Sequence, residues 1–225
     1  MSDIKSNMLE FLLKPKVVRA SIIGTIIVFL PGILIALLVA NLNPGGYNII
    51  DNYISNLGGV EHTTAPWLFN GLLMISSALM LPTTIYMYTK FRPISKIPEG
   101  KKDCFIKNQI LALLGFSCMF IGIIGQFMVG VFNEDIHTPH VVFAAFGFGG
   151  LMIAGLFYGL LISFYDTLIP KFIGLFMSIV PILMGLFTGL GLPPSQPFWE
   201  WMSLFAINFW LITVSFYLIK DLNKG

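Results

Sequence analysis

Histidine and carboxylate side chains lie close together near the middle of the chain. Glu134, Asp135, His137 and His140 fall within one short segment, and His62 belongs to an earlier polar segment. Imidazole nitrogens and carboxylate oxygens are ligands that zinc takes in proteins, and a catalytic zinc keeps one position open for water. One hypothesis is therefore a site for zinc or another divalent metal, formed by His62, His137, His140 and Glu134.

The same residues allow a metal-free hypothesis. His140 would act as a general base, Asp135 or Glu134 would orient its ring, and Ser55 would be the nucleophile. A third interpretation is structural, because histidines near acidic residues often serve as caps and hydrogen-bond partners. In that interpretation Ser55 stabilises a turn, and Thr138 is the N-cap of the helix that follows.

Further polar residues occur inside or beside long apolar runs. An amide in hydrocarbon without a partner costs a few kcal/mol, so such residues usually face a partner or a wet cavity. These residues predict an outward-facing, ligand-binding pocket, and they are Asn56, Asn70, Gln126, Asn208 and Glu200.

The apolar runs themselves predict the fold class. Hydrophobic residues make up 56% of the chain and charged residues 11%, against roughly 25% charged in soluble domains. Six runs reach the length of about 20 residues that a membrane-spanning helix needs. The prediction is an all-α membrane protein, a six-transmembrane-helix up-and-down bundle that forms a single integral membrane domain over residues 1–225. The predicted spans are 17–41, 66–89, 108–132, 139–165, 170–192 and 197–219.

The charges are strongly one-sided with respect to these spans. All 13 Lys and Arg residues fall on the side of the two termini, and all three His fall on the opposite side. The positive-inside rule then predicts an N-in/C-in multi-pass protein of the cell membrane. The basic loops are explained by this orientation, so no nucleic-acid partner is expected. No charged residue lies in the central third of a span, which disfavours a transporter of charged solutes.

Two small-residue patterns predict close helix packing. Gly155 and Gly159 are four residues apart in the fourth span, and Gly185 and Gly189 are four apart in the fifth. Such pairs let helix backbones approach closely in lipid. Packing within the bundle is the first interpretation, and a homo- or hetero-oligomer is the alternative.

At these residues the chain resembles a known family of membrane proteins. Residues 53–58 and 65–71 resemble the first signature of the domain of unknown function 998 family. Residues 130–135 with His137 and His140, running into residues 143–146, resemble the second, although Asn133 stands where Pro is common. A fainter similarity extends to the Frag1/DRAM/Sfk1 proteins. The resemblance implies six spans and a site on the outer side, and it implies no reaction.

Three functional hypotheses follow from the sequence. The first is a membrane protein whose outward-facing pocket binds a lipid or another lipophilic molecule. The second is an outer-face lipid hydrolase or transferase, with or without a metal. The third is a structural subunit of a membrane complex.

Overall fold

The architecture is a bundle of long helices. The computed structural model describes residues 2–92, 102–165 and 167–223. Within that part of the chain there are no strands, and six of the seven α-helices are long and apolar enough to cross a membrane. The predicted all-α membrane fold with six spans is thereby confirmed. The α-helices are α1 Ser2–Leu12, α2 Pro15–Asn41, α3 Pro66–Phe91, α4 Lys102–Val131, α5 His137–Phe164, α6 Lys171–Leu190 and α7 Gln196–Leu222.

The helices α2 to α7 match the predicted spans to within a few residues at most ends. The largest difference is at α4, which begins at Lys102 and not at residue 108. Hydropathy marks only the part of a helix that lies in hydrocarbon, whereas backbone hydrogen bonding continues into the polar interface. The prediction that Thr138 caps α5 is wrong, because the N-cap is Ile136 and it makes no side-chain capping bond. His137 and His140 therefore both belong to the first turn of α5.

One end of the bundle carries the polar residues of interest. We call it the outer end, following the predicted orientation, and it is formed by residues 42–65, 132–136 and 191–195. Residues 42–65, which we call the outer loop, contain a 3₁₀ helix over Ile54–Gly58. At the opposite end Lys90 forms a 2.6 Å ion pair with Asp221, which ties α3 to α7.

The closest helix packing is between α4 and α5. A Cβ atom built on Gly150 would lie 2.5 Å from the backbone nitrogen of Gly122, and Gly125 and Gly147 meet with similarly little space. Backbone atoms of the two helices thus come into direct contact, as small residues permit in lipid. These glycines are three residues apart within each helix, so the four-residue pattern in the sequence did not reveal them.

The predicted glycine pair of α5 packs inside the chain. A Cβ on Gly159 would lie 2.5 Å from the carbonyl oxygen of Gly174 in α6, and one on Gly155 would lie 3.1 Å from that of Met177. In α6 Gly185 faces Met152, whereas Gly189 has no neighbour within 4 Å. Both glycines of the α5 pair thus lie at the contact between α5 and α6, whereas only Gly185 of the α6 pair does so.

The buried core has an inner and an outer part. Trp210 and Tyr158 are fully buried in the inner part. Trp201 and Leu57 are fully or almost fully buried in the outer part, which includes the outer loop. Consecutive spans from α2 to α7 pack extensively, but α2 and α7, the first and last spans, meet only sparsely. The seam between α2 and α7 is therefore a loosely packed border of the site described next.

Candidate functional site

The outer loop is folded down onto the end of the bundle. The hydroxyl of Tyr47 donates to the carbonyl oxygen of Tyr53 at 2.6 Å, and the indole N–H of Trp201 donates to that of Asn52 at 3.1 Å. The rings of Tyr47 and Trp201 pack edge to face, with centroids 6.2 Å apart. Side chains of α7 thus hold the loop, and the loop covers the outer end.

Hydrogen bonds from α3 and the α4–α5 connection hold the 3₁₀ helix. The amide of Asn56 donates to Oε1 of Glu134 at 2.5 Å. The carbonyl oxygen of Gly58 accepts from Nδ2 of Asn70 at 3.1 Å and from Nδ2 of Asn133 at 3.3 Å. These bonds use one polar atom each of Asn56, Glu134 and Asn70, so all three predicted site residues help to hold the loop.

Glu134 is the half-buried acid at this junction. Its Oε2 atom is buried and has no hydrogen-bond partner among the described residues. Burial raises the pKa of Glu134 above its ordinary value, while the nearby His62 and His140 and the bond from Asn56 act in the opposite direction. Protonation of this carboxyl is therefore coupled to the packing of the loop.

A cavity of about 110 Å³ lies beneath the 3₁₀ helix, along the inside of the bundle. Residues of α2, α3, α4, α5 and α7 line it, and α6 contributes none of its described lining. On α7 the lining extends from Glu200 to Ser215, which corresponds to about 22 Å at 1.5 Å per residue. The cavity is consequently long and narrow, and it runs from the outer end past the middle of the bundle.

The walls of the cavity change character along its length. Three polar side chains line its outer end, namely Ser55, His140 and Glu200. Most of the remaining wall is apolar, including Phe29 and Phe148, with hydroxyl and amide groups spaced along it. The arrangement is amphipathic, with one polar end and an extended apolar body.

His140 has a fixed tautomer when its ring is neutral. Its side chain is only 6% exposed, and its Nδ1 lies 2.9 Å from the carbonyl oxygen of Phe132. Since a carbonyl can only accept, Nδ1 carries the proton and Nε2 keeps its lone pair. Nε2 has no hydrogen-bond partner among the described residues. The ring can thus accept a hydrogen bond from a molecule in the cavity.

The other polar lining groups are partly satisfied within the protein. The backbone amide of Ile54 faces the carboxyl of Glu200, so the 3₁₀ helix and α7 meet at the outer end of the cavity. Deeper in the bundle, Gln126 donates from Nε2 to the hydroxyl of Ser76 at 3.2 Å. Asn208 donates from Nδ2 to a carbonyl of its own helix at 2.9 Å, so its Oδ1 is left as an acceptor. The middle of the cavity is therefore apolar with single hydroxyl and amide groups along it, some of which keep a free acceptor.

The structure divides the predicted site residues into two groups. Those that line the cavity are Ser55, Gln126, His140, Glu200 and Asn208. Those at the outer loop, the α4–α5 connection and the adjoining first turns of α3 and α5 are Asn56, Asn70, Glu134, Asp135, His62 and His137. The sequence analysis missed the hydroxyl residues of the lining, which are Thr25, Ser76, Thr83 and Ser215. A lone Ser or Thr gives no signal in an apolar helix, because its hydroxyl can bond to a carbonyl of the preceding turn.

The predicted metal ligands do not form a cluster in the described part of the chain. No group of three or more His, Cys, Asp and Glu side chains there is arranged to hold a metal ion. His137 is exposed, whereas His140 is buried and its Nδ1 is already hydrogen-bonded. The geometry therefore gives no support to the set His62, His137, His140 and Glu134 as a zinc site.

Comparisons with known proteins give no relative for this chain. No protein-family model matches it, and neither a curated protein nor a solved structure does. The fold and the site geometry therefore define the class, which is a multi-pass integral membrane protein with an internal, amphipathic cavity. The family resemblance of the sequence signatures stays a prediction.

Proposed function

We propose that this membrane protein binds one hydrocarbon chain of a lipid or lipophilic molecule in its internal cavity. The polar end of the ligand would lie against Ser55, His140 and Glu200, and its chain would extend along the apolar wall. The observation that carries the proposal is the cavity itself, which has polar groups at its outer end and a long apolar body.

The dimensions of the cavity support a single chain. Its lining on α7 extends over about 22 Å. A volume of about 110 Å³ spread over that length leaves a narrow channel. A linear chain fits this shape better than a bulky or branched ligand does.

The seam between α2 and α7 supports access from the bilayer. Both helices line the cavity, through Ile26 and Leu30 on α2 and through Asn208 and Ile212 on α7. These four side chains are only half-buried, and the two helices meet sparsely. A hydrocarbon chain can therefore pass between α2 and α7 without leaving an apolar environment.

A matched pair of α5 variants tests the proposal. Ala144 lines the cavity, and its neighbour Ala145 is exposed on the bundle surface. Ala144→Phe fills the cavity, whereas Ala145→Phe adds the same ring where lipid contacts the helix. The protein is purified in a detergent micelle and then in phosphatidylcholine nanodiscs, and the retained lipophilic molecules are quantified by mass spectrometry.

We expect a near-stoichiometric molecule in the wild-type protein and in Ala145→Phe, and at least a tenfold loss in Ala144→Phe. Equal retention by the two variants would show that the molecules are surface lipid, and it would refute the proposal. Helical content from circular dichroism checks that both variants are folded.

One observation favours a second candidate function, a hydrolase or transferase acting on lipid head groups. Ser55 and His140 line the same end of the cavity, and Nε2 of His140 holds a lone pair that can take a proton from a hydroxyl. Glu200 is the carboxyl at this end. This differs from the sequence hypothesis, in which Asp135 or Glu134 supported the histidine, because those two residues bond to the outer loop.

A fluorophosphonate probe with an alkyl chain distinguishes this second candidate from simple binding. An activated Ser55 would displace the fluoride and become covalently phosphonylated, and Ser55→Ala and His140→Gln would both abolish that labelling. Ser195→Ala is the control, because Ser195 is a helix cap outside the cavity. Absence of labelling at Ser55 in a protein that retains lipid would leave binding as the function.

A further inference from the structure

The cavity has a closed inner end. The residues at which its lining ends are Ile22 on α2, Thr83 on α3 and Ser215 on α7. One helical turn further toward the inner end of the same helices lie Val18, Met87 and Leu218, which are 0%, 1% and 2% exposed. These three side chains, which we call the floor, belong to the inner part of the core and are absent from the described lining. A chain that enters the cavity therefore meets packed side chains at the inner end.

Hydrogen bonds join α2, α3 and α7 beside the floor. The hydroxyl oxygens of Ser21 and Thr83 lie 2.6 Å apart, which joins α2 to α3. The guanidinium of Arg19 donates to Oδ1 of Asn223 at 2.5 Å, which joins α2 to the end of α7. The seam between α2 and α7 is therefore fastened at its inner end, although the two helices meet sparsely. The helices cannot separate at the floor without loss of these bonds.

The distance from the polar end of the cavity to the floor is similar on two helices. The lining on α7 extends over about 22 Å. On α3 it extends from Phe69 to Thr83, which corresponds to about 21 Å at 1.5 Å per residue. Carbon–carbon bonds of about 1.52 Å that meet at about 111° advance an extended chain by roughly 1.25 Å per bond. The cavity therefore matches an extended chain of about 18 carbons.

From the closed floor and this distance we infer that the cavity selects single-chain amphiphiles by length, with an optimum of about 18 carbons. This inference rests on the proposed function and adds the size class of the ligand. A shorter chain leaves empty space above the floor, so the surrounding side chains lose dispersion contacts. A longer chain must bend within a narrow channel or leave through the seam, because the floor blocks its straight path. Chain length is thus selected by apolar packing and not by the charge of the polar end.

Photo-crosslinking from the end of the chain tests the inference. Each probe is a linear, saturated alcohol with its hydroxyl at one end and a diazirine at the other, and successive probes differ by two carbons in length. They are added one at a time, at equal mole fraction, to the full-length protein in phosphatidylcholine nanodiscs. Peptide mapping then locates the labelled position along the cavity-lining residues of α7, from Leu204 to Ser215.

We expect the labelled position to move toward Ser215 as the chain lengthens, by one helical turn for about every four carbons. The yield on the cavity wall should be highest for a chain of about 18 carbons. A chain longer by four carbons should give a yield at least about tenfold lower, because its end cannot be packed without strain.

Three variants test the floor itself. Leu218→Ala removes a floor side chain and should move the maximum to chains longer by about two carbons. Ser215→Phe fills the inner end of the cavity and should move the maximum to shorter chains. Leu161→Ala is the matched control, because Leu161 is also almost fully buried in the inner core but lies about 15 Å beyond Leu151, the last lining residue of α5. It should leave the maximum unchanged, and opposite shifts in the first two variants cannot result from a general loss of stability.

Equal yields on the cavity wall for all chain lengths in the wild-type protein would overturn the inference and leave the proposed function intact. Absence of cavity labelling with every probe would overturn both. An unchanged maximum in both Leu218→Ala and Ser215→Phe, with wild-type helical content from circular dichroism, would refute the role assigned to the floor.

Discussion

Nδ2 of Asn56 lies 2.5 Å from Oε1 of Glu134, and this hydrogen bond joins two segments that are 78 residues apart in sequence. Asn56 belongs to the 3₁₀ helix of the outer loop, and Glu134 belongs to the connection between α4 and α5. The 3₁₀ helix also supplies Ser55 to the cavity lining. The position of the outer end of the cavity therefore depends on a bond that lies outside it.

Replacement of Asn56 by alanine should destabilise the protein. The variant leaves Oε1 of Glu134 without its donor next to an Oε2 atom that already lacks a partner among the described residues. Loss of a bond to a buried carboxyl costs about 1–3 kcal/mol. We expect a lower unfolding temperature in detergent, and Asn43→Ala in the same loop is the control. An unchanged unfolding temperature would show that the loop is held by its other contacts.

The raised pKa of Glu134 predicts a pH dependence of stability. The folded protein binds this proton more tightly than the unfolded chain does, so the stabilisation is fully present below the ordinary carboxyl pKa of 4.5. It is lost as the pH rises through the raised value in the folded state. Glu134→Gln should therefore gain stability relative to the wild type as the pH rises above 4.5. The measurement is the unfolding temperature of both proteins across that range, and parallel curves would contradict the prediction.

Neighbouring glycines in α5 should respond oppositely to alanine. A Cβ on Gly150 would collide with backbone atoms of Gly122 in α4, whereas a Cβ on Gly149 has no atom within 4 Å. Gly150→Ala should cost about 1–3 kcal/mol through overpacking. Gly149→Ala should be neutral or stabilise the helix by up to about 1 kcal/mol. Equal unfolding temperatures for the two variants would show that α4 and α5 separate easily.

Cysteine labelling in intact cells tests the predicted orientation. Asp51 and Lys220 are both exposed and lie at opposite ends of the bundle. In a protein without its two native cysteines, a membrane-impermeant maleimide should label Asp51→Cys in intact cells. It should label Lys220→Cys only after the membrane is opened. Immediate labelling of Lys220→Cys alone would reverse the assignment of the two sides.

The helices could be predicted from the sequence because each span must be continuously apolar over the thickness of a bilayer. That requirement is local, so α2 to α7 appear in the sequence almost as they are in the structure. The gathering of polar residues at the outer end was also predictable, because consecutive spans cross the membrane in opposite directions. His140, Glu200 and Ser55 were therefore expected on one side of the membrane.

The position of the cavity depends on contacts between segments that are distant in sequence. The division of the site residues between the cavity lining and the outer loop depends on the same contacts. The packing of the outer loop on the α4–α5 connection places Asn56 against Glu134 and not against a ligand. No residue spacing in the sequence predicts this packing. The same holds for Gly122 and Gly150, which meet only because α4 and α5 cross at that level. Side-chain type alone could not separate residues that fix the loop from residues that line the cavity.

Because the outer loop covers the outer end of the cavity, the way in which ligand occupancy of the cavity is measured matters. Exchange with water would require the contacts of Tyr47, Trp201 and Asn56 to break, whereas α2 and α7 meet only sparsely and are the access route of the proposed function. Saturation should then follow the mole fraction of the ligand among the surrounding lipids. Doubling the amount of bilayer at a fixed total amount of ligand should halve that mole fraction. Ligand titrations should therefore be reported as mole fraction in the lipid and not as concentration in solution.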